Sequence, residues 1–198
     1  MNSRRVFILI LLCVIFFPLF SQDDSLQFFK DSRTVNNTGM YVLGSWAVLN
    51  ISAGAYGWST QTGESKYFHQ MNVFWNVVNI SIASYALIDS YTTDYQTLSQ
   101  NELWDKHLNT KRLYLINAGL DVIYIGAGLG LRHFANKNDQ RANLLRGYGN
   151  SIILQGGFLL AFDAVMYAIQ HTRDIKFLEK TSFDMSLGIN RVEFYYVF

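Results

Sequence analysis

Two segments of the chain repeat the same apolar pattern, and each repeat carries an asparagine inside a hydrophobic run. The first copy, Trp46–Ser52, reads WAVLNIS, and the second, Trp75–Ser81, reads WNVVNIS and follows 29 residues later. Each copy lies in about 20 mostly apolar residues, the length that an α-helix needs to cross a bilayer. Two later runs carry an acid near their middle, Asp121 and Asp163. The pattern predicts an all-α fold, a four-helix transmembrane bundle with a polar interior.

The composition separates this chain from ordinary soluble domains and from nucleic-acid-binding proteins. Hydrophobic residues make up 50% of the chain and charged residues 16%, whereas about 25% of an average soluble domain is charged. The formal net charge of +1 gives no basic field that would attract nucleic acid. We therefore expect a lipid membrane as a partner of the chain, and no nucleic acid.

Residues 1–21 have the composition of a secretory signal peptide. Arg4 and Arg5 form a basic start, an apolar stretch follows, and Ser21 is a small residue before the expected cleavage site. The only cysteine, Cys13, lies in this segment, so the processed chain would hold no disulfide and no thiolate metal site. Export indicates a bacterial cell envelope, with the inner membrane favoured and the outer membrane as the alternative.

The rest of the chain divides into a polar segment at residues 22–38, a bundle at residues 39–171 and a tail at residues 172–198. Ser99 and Glu102 have the spacing of a capping box, which predicts the start of the helix that leads into the third run. The four predicted membrane helices are about Gly39–Trp58, Phe68–Tyr91, Arg112–His133 and Gly147–His171.

The tail changes character after Phe183. Apolar residues alternate with other residues at Met185, Leu187 and Ile189, and again from Val192 to the C-terminal phenylalanine. Such alternation predicts one or two short β-strands. Two strands cannot close a barrel, so we expect the tail to pair with an envelope protein partner or with a second copy of the chain.

Small residues recur at a spacing that favours close helix contacts in membranes. Because small side chains let two backbones approach, the pairs predict where helices meet. The predicted contact pairs are Ala53 with Gly57, Gly126 with Gly130, and Gly157 with Ala161.

Helical spacing gathers the polar residues of the four runs into stripes. On the third run Asn117, Asp121 and Tyr124 fall at i, i+4 and i+7, and the second run repeats this spacing. An acid in hydrocarbon costs at least about 2.5–3.5 kcal/mol, so these stripes should face protein rather than lipid. The predicted interior site, open to an ion or a small ligand, consists of Asn50, Asn76, Asn79, Asn117, Asp121, Tyr124, Gln155, Asp163 and Tyr167.

Asp121 and Asp163 leave three roles open. Antiparallel packing of their helices would put them at similar depth, within about two helical turns, where one shared proton is expected. Our leading hypothesis is a non-enzymatic membrane protein whose Asn/Asp network stabilises the bundle or binds a small polar ligand or ion. The alternative is a proton- or cation-conducting protein that uses the two acids as relay groups.

A haem-bearing electron carrier is a second alternative, because histidines on facing helices can hold haem in a four-helix bundle. His69 and His133 should lie toward one side of the membrane, and His107 and His171 toward the other. Histidines at the edges of apolar runs need no cofactor, so we predict no cofactor and no metal site. The sequence contains no nucleophile elbow, phosphate loop or zinc-protease motif, which favours a non-enzymatic protein without catalytic residues.

The chain also resembles a family of small, uncharacterised envelope proteins of Bacteroidota-type bacteria. The resemblance implies a four-helix architecture and an envelope location, and it implies no activity, cofactor, substrate or residue role. The segments that carry it are Gly39–Ile51, Lys66–Asn79, Asn117–Ile125 and Tyr148–Asp163.

Overall fold

The computed structural model of the protein describes the backbone of residues 3–136 and 140–188, and the side chains of residues 25–136 and 140–179. No β-strand occurs in these residues, so the all-α prediction is confirmed for them. The four helices are α1 at Ser3–Thr60, α2 at Gly63–Thr92, α3 at Gln100–Ala135 and α4 at Ala142–Gly188.

Local sequence sets where the helices begin. Gly63 has a φ of 58° and begins α2 after a two-residue turn, in a left-handed conformation that glycine adopts without strain. The predicted capping box is confirmed at the start of α3. There Ser99 Oγ accepts a bond from the Glu102 amide at 3.4 Å, and the Ser99 amide donates to Glu102 Oε2 at 2.8 Å.

Three of the four helices are long and apolar enough to cross a membrane: Gly63–Thr92, Gln100–Ala135 and Ala142–Glu179. The first predicted span lies within α1. No stretch of spanning length in residues 25–60 of that helix has a mean hydropathy as high as the most apolar stretch of each of the other three helices. Charged residues before position 34 and polar groups at Ser45 and Asn50 lower its hydropathy.

The bundle extends beyond residues 39–171 at both ends. Residues 22–38, predicted as a polar segment ahead of the bundle, belong to α1, where Phe28 and Phe29 are buried against Leu103 of α3. A second apolar cluster lies deeper and joins all four helices. It consists of Met40, Leu43, Ala83, Tyr114 and Met166.

Helix α1 packs on α2, α2 on α4, and α3 on α4, whereas the backbones of α2 and α3 do not approach each other in the described part of the chain. Gly128 of α3 and Gly149 of α4 form one close contact, because a Cβ built on Gly149 would lie 2.7 Å from the Gly128 carbonyl oxygen. The contacts predicted at Gly126, Gly130 and Gly157 are wrong. A Cβ at any of these three would meet no atom within 4 Å, because they lie on other faces of their helices.

The described residues at both ends of the chain are helical. Residues 3–21 form the first turns of α1, and cleavage of a signal peptide there stays a prediction. Residues 183–188 are the last turns of α4 rather than the predicted strand, because an existing helix gains one hydrogen bond for each residue that it adds. The other strand residues, 189–198, lie outside the described residues.

Candidate functional site

Polar residues fill the interior of the bundle while apolar residues cover its outside. Gln155 is fully buried, and Asp121 and Asp163 are 2% and 4% exposed. A soluble bundle would place such groups at its surface, whereas a bundle in hydrocarbon must pair its polar groups internally. Near these residues in sequence, three large apolar side chains are each more than half exposed: Val78, Val122 and Val165.

Gln155 of α4 is the centre of a hydrogen-bond network that joins three helices. Its Oε1 accepts from Trp46 Nε1 of α1 at 2.9 Å. Its Nε2 donates to Asn50 Oδ1 at 3.2 Å and to Asn72 Oδ1 at 3.0 Å. Ser151 Oγ also donates to Asn72 Oδ1, at 2.6 Å. Both bonds to α1 use the central glutamine, so its loss would disconnect α1 at this level, whereas the Ser151–Asn72 bond would still join α2 and α4.

Two further asparagines on α2 extend the network toward the acids. Asn76 Nδ2 donates to the Asn72 carbonyl oxygen at 2.8 Å, and Asn79 Nδ2 donates to Asn76 Oδ1 at 3.3 Å. All three asparagines are buried. Asn79 also lines the cavity beside the acids, so the amide network ends at the acid pair.

Asp121 of α3 and Asp163 of α4 lie within hydrogen-bond reach of each other. Ionised carboxylates have no hydrogen to donate to each other, so we expect the two side chains to share one proton. The pair then carries one net negative charge. Asp121 Oδ2 is buried and accepts no hydrogen bond from the described residues.

A cavity of about 150 Å³ lies beside the acid pair. Its other residues with polar side-chain atoms are Trp75, Asn79, Tyr114, Asn117 and Tyr124, and the ring of Tyr124 meets Trp75 edge-on with centroids 4.8 Å apart. Lysine, arginine and histidine are absent from the described residues that line it. No basic side chain in this wall therefore neutralises the charge of the pair.

The structure divides the predicted site residues into three groups. Eight of them fall in two neighbouring sets, and Tyr167 stands apart, with its ring stacked on His171 at 5.8 Å. The amide network holds Asn50, Asn76 and Gln155. The acid cavity holds Asn79, Asn117, Asp121, Tyr124 and Asp163.

Sequence reasoning missed Asn72, Ser151 and Trp46 as members of the network. Asn72 shares the helical stripe of Asn76 and Asn79, so spacing alone could have included it. Ser151 gave no usable signal, because serines also occur on exposed helix faces; Ser81, for example, is exposed and donates only to a carbonyl of its own helix.

The four histidines have separate surroundings. His107 is buried with Nε2 2.6 Å from Asp174 Oδ1, and His171 is exposed beside Tyr167. His69 is half-buried against Gly57 of α1, and His133 is exposed. Haem binding, the second alternative from the sequence, stays untested, and no contact described above favours it.

A second charged cluster, which the sequence did not reveal, lies where α3 begins and α4 ends. Asp174 is buried and contacts His107 Nε2 through one oxygen and Lys111 Nζ through the other. This cluster lies beyond the fourth predicted span. It joins α3 to α4 at the end of the bundle that also holds the α2–α3 connector, here called the connector end.

Replacing Gln155 by leucine should lower the free energy of unfolding by about 2 kcal/mol, because three interhelical hydrogen bonds of about 0.6 kcal/mol each are lost. Titration of the protein in detergent micelles with sodium dodecyl sulfate, followed by circular dichroism, measures this change. Ser81→Ala, on an exposed face of α2, is the control and should stay within about 0.5 kcal/mol of the parent. An unchanged stability of the Gln155→Leu variant would contradict a structural role for the network.

Comparison with protein families gives one match: the family of unknown function DUF6992 matches residues 42–164. This range is more than half of the chain and contains eight of the nine predicted site residues, all except Tyr167. The chain belongs to this family. Searches of curated proteins and of solved structures give no significant match.

Proposed function

We propose that this member of the DUF6992 family is a non-enzymatic integral membrane protein that binds a monovalent cation between Asp121 and Asp163. One observation carries the proposal. A buried acid pair, in which no N–H or hydroxyl group of the described residues donates to Asp121 Oδ2, lies beside a cavity whose described walls hold no basic side chain. A buried net charge is costly unless a counter-charge accompanies it.

Placement in a membrane is supported by the distribution of polarity. Three helices are long and apolar enough to cross a bilayer, and large apolar side chains near their middles, among them Val78, Val122 and Val165, are more than half exposed. In water, this apolar surface would be exposed to solvent at a cost in free energy. In hydrocarbon, both the apolar surface and the internal pairing of polar groups are favourable. The resemblance to envelope proteins and the predicted signal peptide support a bacterial cell envelope, with the inner membrane as our first choice.

The chemistry of the cavity favours a hard, singly charged ion. The available donors are carboxylate oxygens of the acid pair and the side-chain oxygens of Asn79, Asn117 and Tyr124, which suit hard cations rather than soft ones. One shared proton leaves a single negative charge, which a monovalent ion balances. The described residues contain no third His, Cys, Asp or Glu grouped with this pair, so its single negative charge suits a monovalent ion better than a divalent one.

Conduction of protons or cations through the two acids is the second candidate. The acid cavity shares lining residues Met40, Tyr114 and Asn117 with a larger cavity toward the connector end, so the two cavities adjoin on that side. On the other side the acids are followed by Asn79 and Asn76, whose amides do not ionise. Binding is therefore the better-supported function.

Thermal unfolding in detergent, measured in sodium, potassium or choline chloride at equal ionic strength, tests the binding proposal. A cation at 100 times its Kd should stabilise the protein by about 2.7 kcal/mol, and each kcal/mol raises the Tm of a chain of this size by about 2–4 °C. We expect sodium or potassium, but not choline, to raise the Tm. Calcium and magnesium chloride serve as the divalent comparison.

Asp163→Asn keeps the shape of the side chain and removes the charge, so its Tm should no longer depend on the cation. Asp89→Asn, at a half-exposed acid outside the cavity, should respond as the parent does. A parent Tm that is equal in sodium, potassium and choline chloride overturns the proposal. Cation flux into liposomes that depends on Asp163 would favour conduction instead.

A further inference from the structure

A second cavity, of about 250 Å³, lies at the connector end between α1, α2 and α3. The backbones of α2 and α3 do not approach each other here, and Ile82 and Leu113 both line the cavity and are about half exposed on the outer surface. The cavity therefore opens sideways, between two helices that are apolar enough to lie in a membrane. A molecule could reach it from the lipid.

Two serine hydroxyls in the cavity lack hydrogen bonds. Ser32 of α1 and Ser90 of α2 are each 4% exposed, and neither Oγ has a partner among the described residues. Serine in a helix usually donates to a carbonyl one turn back, and a buried hydroxyl without any partner costs about 1–3 kcal/mol. Both hydroxyls are free to donate to a ligand.

The cavity also carries one positive charge that no carboxylate balances. Lys106 is paired with Asp89 at 2.6 Å, and His107 with Asp174. Arg33, in contrast, makes no ion pair in the described part of the chain. Its Nη1 donates to the carbonyl oxygens of Ser90 and Thr93 at 3.3 Å each, and its other guanidinium hydrogens remain for an anion.

We propose that this cavity binds the carboxylate of a single-chain amphiphile of the fatty-acid class. The carboxylate accepts hydrogen bonds from Arg33, Ser32 and Ser90, and its charge balances that of the guanidinium. The hydrocarbon chain passes between Ile82 and Leu113 into the lipid. The residues proposed to hold the carboxylate do not include Asp121 or Asp163, although the two cavities share the lining residues Met40, Ile82, Tyr114 and Asn117.

Labelling with a diazirine-bearing analogue of palmitic acid tests the proposal, with the protein in phosphatidylcholine nanodiscs. We expect labelled peptides from residues 29–40 and 82–90, and we expect unlabelled palmitate to compete about tenfold better than 1-hexadecanol, because hydrogen bonds to a charged group are stronger. Labelling spread over the lipid-facing surfaces, or equal competition by the acid and the alcohol, overturns the proposal.

Three variants locate the binding. Ser90→Ala removes a hydroxyl that makes no bond in the protein, so the fold should be kept while palmitate competition weakens about threefold. Arg33→Gln should abolish the preference for palmitate over the alcohol. Arg112→Gln removes the same charge from an exposed position on α3 and should leave competition unchanged. Unchanged competition in both Ser90→Ala and Arg33→Gln contradicts the assignment of the carboxylate to this cavity.

Discussion

Replacing Asp174 by alanine is expected to lower the free energy of unfolding by about 3–5 kcal/mol. Asp174 is 8% exposed, lies 2.6 Å from His107 Nε2, and accepts a bond from Lys111 Nζ. Without it the Lys111 ammonium, whose side chain is 13% exposed, has no carboxylate beside it. An uncompensated buried charge costs more than the intact pair contributes, so the loss should be large. Titration with sodium dodecyl sulfate in detergent micelles measures it.

The matched control is Asp89→Ala, which removes the carboxylate partner of Lys106. Side-chain exposure of that pair is 31% for the lysine and 45% for the aspartate, so water solvates both charges. Exposed ion pairs contribute about 0–1 kcal/mol, and we expect a loss within that range. If both variants lost the same free energy of unfolding, burial of Asp174 would not determine how much it contributes to stability.

Replacing Gly147 by alanine is expected to lower the free energy of unfolding by about 3 kcal/mol. Gly147 begins the fourth predicted span, within α4, and lies against the first turns of α2. A Cβ there would lie 2.7 Å from the Phe68 amide nitrogen and would also crowd the Glu64 carbonyl oxygen. Both are backbone atoms, so the two helices must separate to make room. This separation strains the hydrogen bonds between α2 and α4 that lie farther along the two helices.

Gly157→Ala in the same helix is the control for Gly147→Ala. A Cβ at Gly157 meets no atom within 4 Å, and the position is exposed. Alanine is the better helix former by up to about 1 kcal/mol, so this variant should be as stable as the parent or slightly more stable. Destabilisation by both variants to the same extent would contradict a close approach specific to Gly147.

The helices and the division between inside and outside could be predicted because both follow from local spacing. Apolar runs of membrane length, the Ser99–Glu102 capping box and the stripe of Asn117, Asp121 and Tyr124 are each readable within one helix. The structure adds where the stripes meet. Asp121 and Asp163 belong to helices that the chain order makes antiparallel neighbours, and the structure brings their side chains within hydrogen-bond reach.

The partners of each residue could not be predicted, because they depend on the rotation and depth of a neighbouring helix. Gly126 and Gly130 have the right spacing for a contact, yet Gly128 is the residue that meets α4. Asp174 lies beyond the fourth predicted span. It pairs with His107 and Lys111 because the beginning of α3 packs beside this part of α4. Because the sequence before Gly39 is polar, we did not predict that it belongs to a helix in which Phe28 and Phe29 are buried.

We infer that the outer faces of α2, α3 and α4 contact lipid while the acids face inward. Nitroxide labels placed singly at Val78, Val122 and Val165, in a Cys13→Ser background and in liposomes, test it by collision with oxygen and with a nickel chelate. We expect all three labels to collide often with oxygen and rarely with the chelate, and a label at Gln61, exposed in the α1–α2 turn, to show the reverse. Access of the chelate to the three valine positions, equal to that at Gln61, would contradict the claim.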